Sequence, residues 1–304
     1  MRATLPRVVV PAATFLLAVA LVLPGTSAAA APGTAAAPTA VVTLGDSYSS
    51  GLGSGGYYND CDNTPNAWGN LIFSETVTSR TMLACSGATI PTVQGQVDQL
   101  AGLPSNGNRL VTVTVGGNDA GFADELVNCF LSNCTRNRAV LESRIDGLAG
   151  PLTSLYDEIQ AAAPGDRVLV GGYPLLVPDP DVRGWCYALT FLITPAERDM
   201  IRDLGVRLNN VIDRAAAAAG VTSVTTDLEV RFTGHEACQN SSRDWIYGLS
   251  LSGGFGASGQ QPAGPVIASG GRYGVQADFV RDSFHPTRRG QQAYADSFEA
   301  VHGG

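Results

Sequence analysis

Two kinds of apolar pattern alternate along most of this chain. Short β-branched runs read as strands: Val41-Val42-Thr43-Leu44, Leu110 to Val115, Arg167 to Gly171 and Val221 to Thr226. Between them lie longer stretches with apolar residues at helical spacing. Arg138 to Ala163 carries Leu141, Ile145, Leu148, Leu152, Leu155 and Ile159 at that spacing. Gly147, Gly150 and Pro151 predict a kink or break within it, and Pro164-Gly165 a stop. Thr194-Pro195-Ala196-Glu197 combines an N-cap threonine, a first-turn proline and an acid at the third position. A helix is predicted from there to Ala219, ending at Gly220, and a closing helix over Thr287 to Val301. Strand–helix alternation of this kind folds as α/β, a parallel sheet covered on both faces.

The two ends and one internal stretch break the pattern. Arg2 and Arg7 precede the uncharged apolar run Val8 to Pro24, and small residues follow at Thr26 to Ala31. Residues 1–30 therefore read as a secretory signal peptide, with cleavage near Ala28 to Ala31. Residues 31–39, rich in Ala, Pro and Gly, read as a flexible mature N-terminus. Residues 40–304 show no internal repeat and fit one α/β domain. Within it, residues 240–278 are Gly/Ser/Pro-rich, and so long an irregular stretch predicts a functional loop over the rim of the sheet.

Composition narrows the chemistry. The chain has no lysine, which excludes Schiff-base chemistry and P-loop phosphate binding. Its net charge of −8 argues against a nucleic-acid partner and gives no attraction to anionic membranes. Six cysteines, Cys61, Cys85, Cys129, Cys134, Cys186 and Cys238, form an even set in a chain expected to be exported. Three disulfides are expected, with fifteen pairings open to the sequence alone. Zinc is the rival, but it prefers short knuckles, and the close pair Cys129/Cys134 has no histidine near.

Ser47 follows the first strand, at the rim where open α/β sheets bind ligands. A serine hydroxyl attacks an ester poorly unless a histidine takes its proton. Three are available. His302 lies beside the C-terminal glycines and reads as solvated; His235, near Cys238, reads as structural, with a substrate contact as the alternative. His285, in Asp282-Ser283-Phe284-His285-Pro286, precedes the closing helix and is the candidate base that the resemblance given below supports. Gly51-Leu52-Gly53-Ser54-Gly55-Gly56 matches the dinucleotide fingerprint G-x-G-x-x-G, but a polar segment separates it from the strand and no helix opens after it. The G-x-S-x-G elbow fails because Ser49 stands where its second glycine belongs.

Ser47 in Gly45-Asp46-Ser47, Gly87 in Cys85-Ser86-Gly87-Ala88, Asn118 in Gly116-Gly117-Asn118-Asp119, and His285 occur in that order. Together they resemble the SGNH (GDSL-type) hydrolases, and are most similar to the secreted actinobacterial lipase/esterase branch. The resemblance spans nearly the whole mature chain. It implies a three-layer α/β/α, flavodoxin-like SGNH-hydrolase fold with a central parallel sheet. It further implies a secreted, monomeric esterase or lipase without metal or cofactor, hydrolysing lipid or short-chain acyl esters through an acyl-enzyme on Ser47. No nucleic-acid partner and no stable membrane insertion are expected. Phospholipase A or polysaccharide O-acetyl esterase activity would suit the same site. A catalytically dead binding module would lack one of the four blocks, and none is missing.

By the same resemblance, the oxyanion hole is built from the backbone N–H groups of Ser47 and Gly87 and the side-chain amide of Asn118. The implied disulfides are sequential: Cys61–Cys85, Cys129–Cys134 and Cys186–Cys238. Asp282 stands at the family's acid position, where a carboxylate would fix the tautomer of His285. Some members of the branch use a main-chain carbonyl instead, here that of Ser283 or Asp282. The Asp282 side chain is the expectation, because a carboxylate is present and brings a full charge. Asp46 and Asp119 are expected to brace their turns, and Leu249, Leu251, Phe255, Val266 and Ile267 either to line an acyl groove or to lie buried under the loop.

Overall fold

A β-branched run buried on both faces needs a strand on either side and helices above and below. The computed structural model describes residues 37–181, 193–238, 241–248 and 282–303. In chain order its elements are β1 (Ala40–Gly45), α1 (Ser47–Ser50), α2 (Trp68–Leu71), β2 (Ser79–Met82), α3 (Ile90–Ala101), β3 (Arg109–Thr114), α4 (Gly117–Ala120) and α5 (Phe122–Leu131). There follow α6 (Arg138–Asp146), α7 (Ala149–Ala162), β4 (Arg167–Val170), α8 (Pro195–Ala219), β5 (Thr222–Ser223), α9 (Thr225–Phe232) and α10 (Arg288–Gly303).

The strands form one parallel sheet in the order β2-β1-β3-β4-β5. This is the flavodoxin-like order, in which the winding reverses between the first and third strands and leaves a crevice at their carboxyl ends. The register of β1 on β3, from Ala40 opposite Arg109 to Gly45 opposite Thr114, brings the turns at Ser47 and at Asn118 out side by side. Helices α3, α7 and α8 pack together as one layer, and α2, α9 and α10 as another. Val42, Leu44, Val111 and Val113 are buried between them, as is Trp68, stacked on Tyr294 with ring centroids 4.5 Å apart.

The predicted helices stand. The stretch from Arg138 divides into α6 and α7 around Gly147-Leu148, and α8 begins at the capping box of Thr194 and Glu197 and ends at Gly220 in the left-handed region. The strand predicted over Val221 to Thr226 is corrected. Only Thr222 and Ser223 pair with β4, and the chain turns at once into α9. Ser223 Oγ accepts from Thr225 N–H at 3.0 Å, a local bond that competes with the ladder at a sheet edge. The strand that the hydrophobic pattern did not predict, β2, has the polar sequence Ser-Arg-Thr-Met and lies at the other edge, so it carries no apolar alternation.

Two disulfides, Cys61–Cys85 and Cys129–Cys134, are present. Cys238 is also disulfide-bonded, and Cys186 lies outside the described residues. So do residues 1–36 and 249–281, with Leu249, Leu251, Phe255, Val266 and Ile267 among them. Glu125 stands close to Cys129 and Cys134, but both sulfurs are committed to their disulfide. No helix of the described residues is long and apolar enough to cross a membrane.

Candidate active site

The turn after β1 presents the serine. Asp46 caps α1, its carboxylate accepting from Tyr48 N–H at 3.1 Å, and Ser47 opens the helix. Ser47 Oγ lies 2.8 Å from His285 Nε2, across 238 residues of chain. The other ring nitrogen, Nδ1, faces the carbonyl oxygen of Ser283 at 2.9 Å. A carbonyl only accepts, so Nδ1 carries the proton and Nε2 is left basic toward the serine hydroxyl.

The expected carboxylate contact is therefore replaced by a main-chain one, and the backbone explains why. The His285 amide bonds to Asp282 O at 3.3 Å, and Phe284 adopts a left-handed φ of 59°. That sharp turn folds the Ser283 carbonyl back onto the ring two residues later. A left-handed φ is an outlier for a bulky side chain and persists only where surroundings enforce it. Here Tyr48 Oη donates to Phe284 O at 2.5 Å, and the Phe284 amide bonds to Tyr247 O at 2.9 Å. The Asp282 carboxylate instead accepts from Tyr57 Oη at 3.2 Å, and Tyr57 Oη accepts from Gly53 N–H at 2.8 Å. A Cβ on Gly53 would stand 2.9 Å from His285 Cβ and 2.7 Å from Pro286 O. Gly53 and Tyr57 thus form a wall behind the histidine.

Gly87 sits in a turn closed by Ala88 N–H to Cys85 O at 3.1 Å, with a φ of 79° that suits glycine. The Cys61–Cys85 disulfide and a bond from Cys85 N–H to Gly45 O at 3.0 Å hold that turn beside the end of β1. Asn118, at the start of α4, donates one amide N–H to Ala88 O at 2.9 Å, tying the third rim turn to the second. Its second N–H remains as a donor. Ser47, Gly87 and Asn118 thus belong to three turns cross-linked to one another. Asp119 braces the same region by accepting from Ile90 N–H at the start of α3. Burial raises its carboxyl above the ordinary value.

Sequence reasoning missed Tyr173. It follows β4 and the pair Gly171-Gly172, and its hydroxyl accepts from Gly117 N–H at 3.1 Å while donating to the Asp46 carboxylate. Asp46 also accepts from Thr114 Oγ1 at 2.8 Å. Burial pushes its carboxyl up to about 6, against the opposing pull of the bonds from Tyr173, Thr114 and Tyr48. The available signal was a tyrosine just past a strand's carboxyl end, on the same rim as Ser47. The other two histidines lie elsewhere. His235 stacks on Trp245 with ring centroids 3.7 Å apart. His302, expected to be solvated, is buried on α10 edge-to-face with Phe73, and burial lowers its pKa.

A cavity of about 300 Å³ opens at the pair, with Ser47, Asn118 and His285 on its polar side and Phe122, Leu126 and Leu208 on its apolar side. Gly87 is not on its wall.

Comparison with known proteins agrees with this arrangement. Residues 43–293 match the family described as GDSL-like Lipase/Acylhydrolase. A protein named Lipase 1 from Streptomyces coelicolor is 35% identical over 249 residues, covering 78% of this chain and 87% of its own. A lipase from Streptomyces rimosus is 33% identical over 296 residues, covering 94% and 95%. Among solved structures, phospholipase A1 from Streptomyces albidoflavus superposes with a TM-score of 0.66 at 32% identity, covering 87% of this chain and 99% of that one. The extracellular lipase from Streptomyces rimosus gives 0.67 at 30%, covering 86% and 99%. With the family matched across residues 43–293 and relatives above 30% identity over most of the chain, the chain belongs to the GDSL-like lipase/acylhydrolase family and is an ester hydrolase.

Proposed function

We propose that Ser47 is the nucleophile and His285 the general base of a serine esterase acting on fatty acyl esters. The observation that carries this reading is the 2.8 Å contact of Ser47 Oγ with a His285 Nε2 left unprotonated by the Ser283 carbonyl. The serine proton passes to Nε2 as Oγ attacks the ester carbonyl carbon. The resulting oxyanion is met by N–H groups of Ser47, Gly87 and Asn118, each such donor being worth ~10²–10³ in turnover. Collapse breaks the bond to the leaving alcohol, which takes the proton from His285. Water then repeats the sequence on the acyl-enzyme and releases the acid. Ser283, not the Asp282 side chain, orients the base.

Ser47→Ala and His285→Ala each test the assignment. Both are expected to lower kcat on p-nitrophenyl butyrate by ~10⁴-fold or more with unchanged melting temperature, the scale seen when either member of such a pair is lost. Near-normal turnover by either folded variant would remove the mechanism.

The apolar cavity beside Ser47 supports a lipid acyl group as the substrate moiety. The similarity to a phospholipase A1 supports including phospholipids among the esters tried. Phosphatidylcholine, a triacylglycerol and a polysaccharide acetate, assayed side by side, separate the three activities. Export is supported by the signal-like residues 1–30, the disulfides and the extracellular relative from S. rimosus. The mature protein recovered from culture medium is expected to begin between residues 28 and 32. It is expected to run as a monomer of one catalytic domain on size-exclusion chromatography.

A further inference from the structure

A glycine inside a long helix costs stability relative to alanine and therefore calls for a reason. Two helical glycines of this protein have a steric one. A Cβ on Gly69 would stand 2.0 Å from Thr43 Oγ1, and one on Gly290 2.3 Å from Trp245 O. Gly95 in α3 and Gly150 in α7 are exposed and would meet nothing within 4 Å, so they are surface positions; Gly205, in the middle of α8 and also without a left-handed φ, is half-buried. The nearest atom to a Cβ there is Leu175 Cδ2 at 3.3 Å, the movable end of a half-buried side chain.

What Gly205 does border is the cavity at Ser47. Leu208, one turn later, borders it too, and Leu208 Cδ1 comes within 3.8 Å of a Cβ built on Gly116, two residues before Asn118. The wall of α8 thus starts beside the oxyanion turn at Leu208. It reaches Gly205 three residues away, about 4.5 Å further along the helix axis. Phe122 and Leu126 of α5 border the same cavity. Its charged lining groups are Asp46, which is buried, and Asp124, which is exposed. A slot that is polar at the nucleophile and apolar beyond it suits a linear acyl chain. At the ~30 Å³ that a water occupies in the liquid, and a methylene is of similar size, a 300 Å³ cavity holds on the order of ten such groups.

We infer that Gly205 sets the acyl-chain length the enzyme accepts, its missing side chain leaving room for the distal carbons of a medium-length, octanoyl-class chain. This rests on the assignment of Ser47 as nucleophile. A side chain at 205 would occupy the space that carbons far from the ester need and that an acetyl group never reaches. The readout is the ratio of kcat/KM for p-nitrophenyl octanoate to that for p-nitrophenyl acetate, in which the fraction of folded enzyme cancels. Wild type is expected to favour octanoate. Gly205→Ala should lower the ratio about fourfold, the worth of one methylene, and Gly205→Leu about two-hundredfold, the worth of four. Alanine is the stronger helix former, so Gly205→Ala carries the test even if leucine prevents folding. A wild type without preference for octanoate, or a ratio within twofold of wild type in the folded variants, would overturn the inference. A wild type inert toward both esters would instead overturn the assignment of Ser47, and this inference with it.

Discussion

Replacing Asp282 with asparagine removes a full charge three residues before His285 and keeps an acceptor oxygen in place. Were the carboxylate holding the imidazole, turnover would fall ~10⁴-fold, a barrier rise of about 5.5 kcal/mol. The structure gives a smaller number. His285 Nδ1 is bonded to Ser283 O at 2.9 Å, and the Asp282 carboxylate takes a hydroxyl from Tyr57 at 3.2 Å. A hydrogen bond to a charged acceptor contributes about 1.5–3 kcal/mol and one to a neutral acceptor about 0.5–1.5. The substitution therefore weakens the tie between the Gly53–Tyr57 wall and the His285 segment by about 1 to 1.5 kcal/mol. Even if the whole of that appeared in the transition state, kcat would drop only about tenfold. The assay is kcat and KM on p-nitrophenyl butyrate above neutral pH, with the melting temperature measured alongside. Asp282→Asn is expected to keep at least about a tenth of wild-type kcat. Tyr57→Phe breaks that bond outright and also removes the acceptor of Gly53 N–H, so it should cost more, and the double variant should lose no more than Tyr57→Phe alone, because the Asp282 change then has no hydroxyl left to act on. A folded Asp282→Asn enzyme that loses three orders of magnitude would refute the backbone-acceptor reasoning.

Two further expectations follow from the same rim. Burial raises Asp46 from its ordinary 3.8 to about 6, so its contribution to stability is complete below pH 3.8 and lost as pH rises through about 6. The stability difference between wild type and Asp46→Asn in urea unfolding should thus fall by about 3 kcal/mol between pH 4 and pH 7, and a flat difference would disprove it. Cys61–Cys85 closes a separation of 24 residues and Cys129–Cys134 one of 5. Replacing the first pair by serines should cost about 3 kcal/mol against about 2 for the second, and a reversed order in urea midpoints would show that chain entropy does not govern these cross-links.

The parts of the fold legible in the sequence are those whose cause is local. β1 and β3 are β-branched runs covered on both faces, and α8 writes its own start in Thr194 to Glu197. Strands β2 and β5 are strands because a neighbour pairs with them, at edges where Ser79, Arg80 or Thr222 are as acceptable as valine. The pairing of Ser47 with His285 was expected because a nucleophilic serine needs a base and the four ordered blocks resemble those of a known family; the structure brings the two side chains together. The orienting group was legible only as the second choice, the Ser283 carbonyl standing behind the Asp282 side chain. A main-chain carbonyl has no side chain to announce it, and the turn that aims it depends on a left-handed Phe284 that local propensity disfavours. That conformation is set by Tyr48 and Tyr247, of which Tyr48 lies 236 residues away in sequence.

A carbonyl also leaves a problem that a carboxylate would solve. In the proposed mechanism, the imidazolium formed as Ser47 is deprotonated gains no full negative charge from Ser283. Tyr48 lies beside the ring, its centroid 5.2 Å from that of His285 and tilted by 44°. A cation within about 6 Å of an aromatic centroid is stabilised by about 0.5 to 2 kcal/mol, more where water is excluded. Tyr48 is buried, and its own amide is held by Asp46. The same tyrosine therefore enforces the Phe284 turn through its hydroxyl, lends its ring to the charged histidine, and is anchored by the residue that caps the nucleophile's helix. Above about pH 6 the Asp46 carboxylate behind it is ionised and adds a negative charge to that side of the site. On the proposed mechanism the work of a triad aspartate is divided: orientation falls to a backbone carbonyl, and charge stabilisation to the Tyr48 ring beside the histidine and the buried Asp46 carboxylate that holds Tyr48.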